Sequence, residues 1–209
     1  MTRRTMRKPR AMISIRLVVP ILALALSGCV NIGTKAPGTL LSLSVAQAPA
    51  VGTGASGKLS DALVVLEPEA DAAVTVLRVP VQIDDAQIAY VKGTMWVERP
   101  ARQFQHLLAE TLRARGNRLV VEGGIKRADD AGTGSGLRLG GRLQMMGFDA
   151  RTRAAVVRFD ALKLAGGGKI ETRRFEARVP GVKPDGDSLG PALNEAANKV
   201  AGEVADWVG

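Results

Sequence analysis

The sequence predicts an α+β fold, a two-layer sandwich in which an antiparallel sheet carries two helices packed on one face. Three observations lead to it. Segments following Gly136 alternate apolar and polar residues. A segment opening at Pro100 and another at the carboxyl end repeat apolar residues at helical spacing. Each of these segments is apolar on one side only, and one-sided helices and a one-sided sheet bury each other's apolar faces in two layers.

The chain begins with a segment that concerns export. Arg3, Arg4, Arg7, Lys8, Arg10 and Arg16 supply six positive charges with no acid before Cys29, and the apolar run LVVPILALAL follows. Ten helical residues cover about 15 Å, half of a hydrocarbon core of about 30 Å. The run therefore suits the h-region of a cleavable signal better than a membrane span. TRRTMRK lacks the apolar positions that follow a twin-arginine signal. Small Ser27 and Gly28 precede Cys29, the one cysteine of the chain.

Leu26-Ser27-Gly28-Cys29 resembles the bacterial lipobox. The resemblance implies cleavage between Gly28 and Cys29, a diacylglycerol on the Cys29 thiol and an acyl group on the new amino terminus. Two or more chains anchor stably where one does not. No cofactor beyond this covalent lipid is expected. Val30, where Asp would favour retention in the inner membrane, points to the outer membrane.

Residues 1–28 thus read as a lipoprotein signal peptide, and the 181 that remain suffice for one domain with a sizeable core. The net charge of +9 falls to +3 once the six signal charges are gone. No dense basic tract with interleaved aromatics is left, which argues against nucleic acid as a partner. Residues 29–58 are poor in charge and hold no aromatic, as in a flexible tether reaching roughly 30 Å. Residues 40–45 could add a strand, and the folded unit is expected over residues 59–209.

Within that unit, ALVVLEPEA and VTVLRVPVQI carry Pro68 and Pro80 and read as edge or interrupted strands. QIAYV, after Asp84-Asp85, pairs back as a hairpin. Pro100 suits the first helical position, and Phe104, Leu107, Leu108, Thr111 and Leu112 form the stripe of that helix, ended by Arg115-Gly116-Asn117. A strand at residues 119–122 leads to the loop DDAGTGSG. A meander follows, with Leu137, Leu139, Leu143 and Met145 on the buried face of its first strand, Val157 and Phe159 on the second, and Phe175, Ala177 and Val179 on the third. DARTRA and AGGGK are its turns. The last helix is expected after Ser188 as N-cap, with a stripe from Leu189 to Val208.

Alternation puts Arg138, Arg142, Arg158, Asp160, Arg174, Glu176 and Arg178 on the opposite face. Two readings stand: a solvated face with cross-strand ion pairs, each contributing about 0.2–1 kcal/mol, or a docking surface for an acidic partner or anionic lipid headgroups.

Catalytic signals are weak. His106 is the one histidine and falls off the apolar stripe, on the exposed side of its helix. There is no second histidine or cysteine cluster for a metal, and no catalytic triad is read around His106. GGIKRADDAGTGSG lacks a P-loop pattern and precedes a strand. Asp129-Asp130 reads as solvated loop acids. An enzyme is not expected.

Residues 78–115, with Ile88-Ala89-Tyr90, Trp96-Val97-Glu98-Arg99-Pro100 and the helix after it, resemble the auxiliary lipoprotein family of ABC-type transporters, to which the PqiC type belongs. FDA in the meander, RRFEARVP two strands later and the terminal ALNEAANKVAGEVADWV carry the likeness over most of the mature chain. TLLSLSV departs from it, since the corresponding strand often carries a tyrosine. The resemblance implies an outer-membrane lipoprotein facing the periplasm. Its partners would be an inner-membrane ABC permease, its ATPase and a mammalian-cell-entry periplasmic protein, moving phospholipid or other apolar molecules between membranes. It is compatible with a homo-oligomer. Tyr90 and Trp96 become candidates for partner docking or for core packing. The rival readings are an envelope scaffold bound to peptidoglycan or assembly machinery, and a lipid-anchored hydrolase.

Overall fold

The structure, a computed structural model, describes residues 38–116, 118–123 and 136–209. Its spine is β7 (Leu137–Asp149), which pairs antiparallel with β8 (Ala154–Leu164), and β8 pairs antiparallel with β9 (Ile170–Pro180). This is the expected meander, joined by the two expected turns. In the first, the Asp149 carboxylate accepts from the Arg151 and Thr152 amides and Arg153 takes the left-handed region (φ 49°). Asp is well suited to cap a turn in this way. In the second, Gly167 and Gly168 both have positive φ, which glycine adopts without steric cost.

The other edge of β7 is shared by three short strands placed end to end. β2 (Leu63–Leu66) pairs with residues 137–139, β3 (Glu69–Ala70) with residues 142–143 and β4 (Arg78–Gln82) with residues 148–149, all parallel to β7. Pro68 separates β2 from β3, as an interrupted strand requires. Beyond them, β6 (Val120–Gly123) lies parallel to β2, β5 (Ile88–Trp96) antiparallel to β4, and β1 (Thr39–Leu41) parallel to β5. The α+β class and the two layers are as expected, but the sheet, expected antiparallel, is mixed. Alternation reports which face a side chain takes and is silent on the direction of the neighbouring strand. Parallel neighbours need a long crossover, and the path from β2 to β6 includes α1 (Pro100–Ala114).

Both helices, α1 and α2 (Gly186–Val208), cover one face of the sheet. Phe104 of α1 meets Phe159 of β8 edge-on with centroids 5.1 Å apart, and Leu108, Leu189, Leu193, Leu139, Leu143 and Met146 complete the centre of the core. Each large side chain buried there stabilises the fold by about 1.5–3 kcal/mol. Met145 is not among them. A bulge between Leu143 and Met145 adds a residue to β7 and reverses the alternation, so Met146 and Phe148 face the helices while Met145 joins Ala154 and Val156 on the other side.

The start of α2 also differs from expectation. Asp185, not Ser188, is the N-cap, and its carboxylate accepts from the Ser188 amide at 2.8 Å. The Ser188 hydroxyl reaches back to accept from the Lys183 amide at 3.0 Å, a reciprocal arrangement related to the capping box. The reciprocal pair moves the helix start three residues upstream.

The segment leading into the domain is built into it. Thr39 and Leu41 pack over the beginning of α2, where a Cβ on Gly186 would come within 2.9 Å of Thr39 and one on Gly190 within 2.9 Å of Leu41. Residues 43–46 then run along side-chain amides that replace a partner strand. Gln103 Oε1 accepts from the Leu43 amide, Asn194 Oδ1 from Ser44 and Asn198 Oδ1 from Ala46, at 2.7–2.9 Å. The folded unit therefore takes in residues 40–45, of which only 40 and 41 lie in the strand Thr39–Leu41, and begins well before residue 59.

Candidate functional site

Two surfaces concentrate polar chemistry. The first is the helix-free face of the meander. Asp160 of β8 accepts from Arg174 Nε at 2.6 Å and Nη2 at 2.8 Å, and from Gln144 at 2.5 Å. Glu176 of β9 bonds Arg158 across the strand and Arg178 along it. Arg178 continues to Asp149 at 3.1 Å, and Arg142 meets Glu69 and Asp71 on the β3 side at 2.5 and 3.2 Å. Arg138, on the same face of β7, is engaged as well. The cross-strand ion pairs of the first reading are thus present, and Arg142, Arg158, Arg174 and Arg178 each meet a carboxylate.

The lattice sets the acidity of its carboxyls. Hydrogen bonds from Arg174 hold Asp160 below the usual carboxylate range against the opposing effect of burial. At Asp149, burial pushes upward, but Arg178 and the Thr152 and Arg151 amides outweigh it and the group also lies low. Glu176 follows the same pattern, with burial outweighed by Arg158 and Arg178. A cleft of 830 Å³ opens where β2 and β3 meet this face. Three arginines (Arg142, Arg173, Arg174) and three acids (Glu67, Glu69, Asp160) line it, so its charge is balanced.

The second surface is a cleft of 780 Å³ beside α1, lined by Glu67, Glu69, Arg99, Arg102, Gln105, His106 and Glu122 among others. His106 projects from α1 toward β6, where Nδ1 meets Glu122, while Nε2 lies 3.9 Å from Glu98. Its side chain is half-exposed, as the sequence suggested, but it has acidic partners that the sequence did not. Gln105 in the cleft wall donates from Nε2 to Val65 O and Gly123 O, both at 2.9 Å, tying β2 to β6. The one hydroxyl in the lining, Thr75, donates to Ala72 O at 2.8 Å. Among the described residues, no group of three or more histidines, cysteines or acids could hold a metal, and no helix is long and apolar enough to cross a membrane.

The sequence-predicted residues separate. Gly28, Cys29 and the Asp129-Asp130 pair lie outside the described residues. Trp96 is 1 % exposed and sits in the core, with its indole Nε1 unpartnered, so its part in the fold is packing and not surface contact. Tyr90 lies on the helix-free side under the Arg78 guanidinium, 4.0 Å from its centroid. Tyr90 and the five arginines share a side of the sheet but not one cluster: Tyr90 belongs to β5, beyond β4, and the arginines to β7, β8 and β9. Gln103, Gln105, Asn194 and Asn198 escaped notice because an amide on a helix carries no signature until its backbone partner is known. For Asn194 and Asn198 the spacing of four residues was the available signal.

No curated protein matches the chain. Among solved structures, protein XCC0632 from Xanthomonas campestris, of the DUF330 family, is similar with a TM-score of 0.65 at 17 % identity, covering 81 % of this chain and 93 % of that one. An uncharacterized protein is similar with a TM-score of 0.63 at 13 % identity, covering 82 % and 98 %. At these identities the likeness establishes the fold. The model of the ABC-type transport auxiliary lipoprotein component family matches residues 41–205, from β1 to the last turns of α2. The match takes in α1, most of α2 and the strands β2 to β9, and the chain belongs to the family of ABC-type transport auxiliary lipoprotein components.

Proposed function

We propose that this protein is an outer-membrane lipoprotein that faces the periplasm and assists an ABC-type system in moving phospholipid or other apolar molecules between the two membranes. The observation that carries the reading is the family match over residues 41–205 behind the lipobox sequence Leu26-Ser27-Gly28-Cys29. Cys29 carries a diacylglycerol and an N-acyl group, and Gly28 is the last residue removed. ATP is hydrolysed by the inner-membrane ATPase, and a mammalian-cell-entry protein and the permease are the partners. The His106–Glu122 pair serves structure in this reading, joining α1 to β6.

The test is crosslinking of a tagged full-length protein in its native membrane, mild extraction and identification of what co-purifies. Recovery of a mammalian-cell-entry protein or its permease supports transport. Recovery of peptidoglycan or assembly machinery alone, with tag exposure and yield controlled, replaces it with the scaffold reading.

A further inference from the structure

The helix-free side of the sheet is divided. On the meander, guanidinium groups are matched by carboxylates. On the β1–β5–β4 end they are not: Arg78 rests on the Tyr90 ring and, like exposed Lys92, forms no ion pair with a described residue. Large apolar side chains share that end. Leu40 of β1 is 57 % exposed, and its partner in register is the half-buried Met95 of β5. Arg78 alternates with core-facing Val79, and in β5, whose register against β4 shifts between Tyr90 and Met95, Tyr90 alternates with core-facing Val91 and Met95 with core-facing Trp96. All three therefore take the side away from the core.

We infer that this patch of Leu40, Met95, Tyr90, Arg78 and Lys92 docks flat on a bilayer containing anionic phospholipid. The inference rests on the anchoring reading above. Its length argument is covalent. β1 starts at Thr39, ten residues after Cys29. Ten residues span at most about 33–36 Å, and a flexible chain of that length has an r.m.s. reach of roughly 16–19 Å. That is far less than a tether of thirty residues would allow, so the edge that carries β1 is the part of the domain nearest the membrane. The chemistry matches an interface. An aromatic ring at headgroup depth, aliphatic side chains beside it and two unneutralised cations on apolar stems suit a negatively charged lipid surface. The balanced meander face lacks that attraction.

The experiment uses full-length lipidated protein in vesicles of phosphatidylcholine with about one-third phosphatidylglycerol, a composition that supplies the negative surface potential. A lipid-blocked Cys29 leaves an introduced cysteine as the sole labelling site. Leu40→Cys carries an environment-sensitive fluorophore, and Arg173→Cys on the meander is the reference. The expected result is several-fold stronger quenching by nitroxide-bearing lipid at position 40 than at position 173, reduced to equality by Arg78→Glu with Lys92→Glu. Equal quenching at the two positions overturns the proposal, as does a difference that survives the charge reversal. Mass spectrometry of the same preparation reports the lipid on Cys29, so a failed anchor is distinguished from a failed docking surface. A chain without that lipid overturns both. Circular dichroism of each variant confirms that the sheet is intact.

Discussion

Asn198 donates from Nδ2 to the Ser44 carbonyl at 2.8 Å and accepts from the Ala46 amide at 2.7 Å, so one side chain of α2 holds both polar groups of a strand-like segment about 150 residues away in sequence. Asn194, one turn earlier, holds the Ser44 amide. The pair stands in for a neighbouring strand and fixes the arm that joins the domain to its amino-terminal segment. Asn198→Ala is expected to cost about 0.5–1.5 kcal/mol, since the exposed Ser44 and Ala46 backbone groups exchange a protein partner for water. Amide exchange at residues 44–46 should rise more than the global loss of stability accounts for, and hydrogen-exchange mass spectrometry checks it.

Trp96 tests packing against docking. Buried in the core, Trp96→Ala is expected to lower stability by about 3–5 kcal/mol through the cavity it leaves. Trp96→Phe should cost much less, because it also removes an indole N–H that is buried without a partner. Urea unfolding distinguishes them. A partner-binding loss in a Trp96→Phe protein of near-normal stability would return the residue to the docking surface.

Gly141 has a φ of +138°, and a Cβ added there would overlap the carbonyl oxygen of Asp160 on β8. Gly141→Ala must shift the β7–β8 pairing or strain the backbone, which costs on the order of 1–3 kcal/mol for the conformation alone. The expected outcome is a lowered unfolding midpoint, with the register around Asp160 loosened in NMR or hydrogen exchange.

Acid sensitivity follows from the arginine lattice. The folded-state pKa values of Asp149, Asp160 and Glu176 lie below their unfolded values. Their stabilisation is therefore complete above the unfolded carboxylate pKa of about 4 and is lost as the pH falls through the lower folded values. Stability should be insensitive to these groups near neutrality and decline in the acid range. Arg178→Ala removes a partner of both Asp149 and Glu176, so its acid-unfolding midpoint should move to higher pH, followed by the fluorescence of Trp96 and Trp207.

The sequence by itself determined the secondary elements with strong periodicity. The α1 stripe around Phe104 and Leu108, the meander with its two turns and the α2 stripe are local patterns of burial, and a local pattern survives without knowledge of its neighbour. It also determined the family, since that rests on the order of residues along the chain. Tertiary structure alone decided the rest. Strand direction depends on where a crossover returns, so the mixed sheet was invisible. The bulge at Met145 adds one residue to a run whose alternation looks continuous. The capture of residues 43–46 depends on amides from α1 and α2, and the neutralisation of the arginines on acids brought from β3 and across the meander. Pairing of this kind joins residues far apart in the chain, and only the folded geometry states which of them meet.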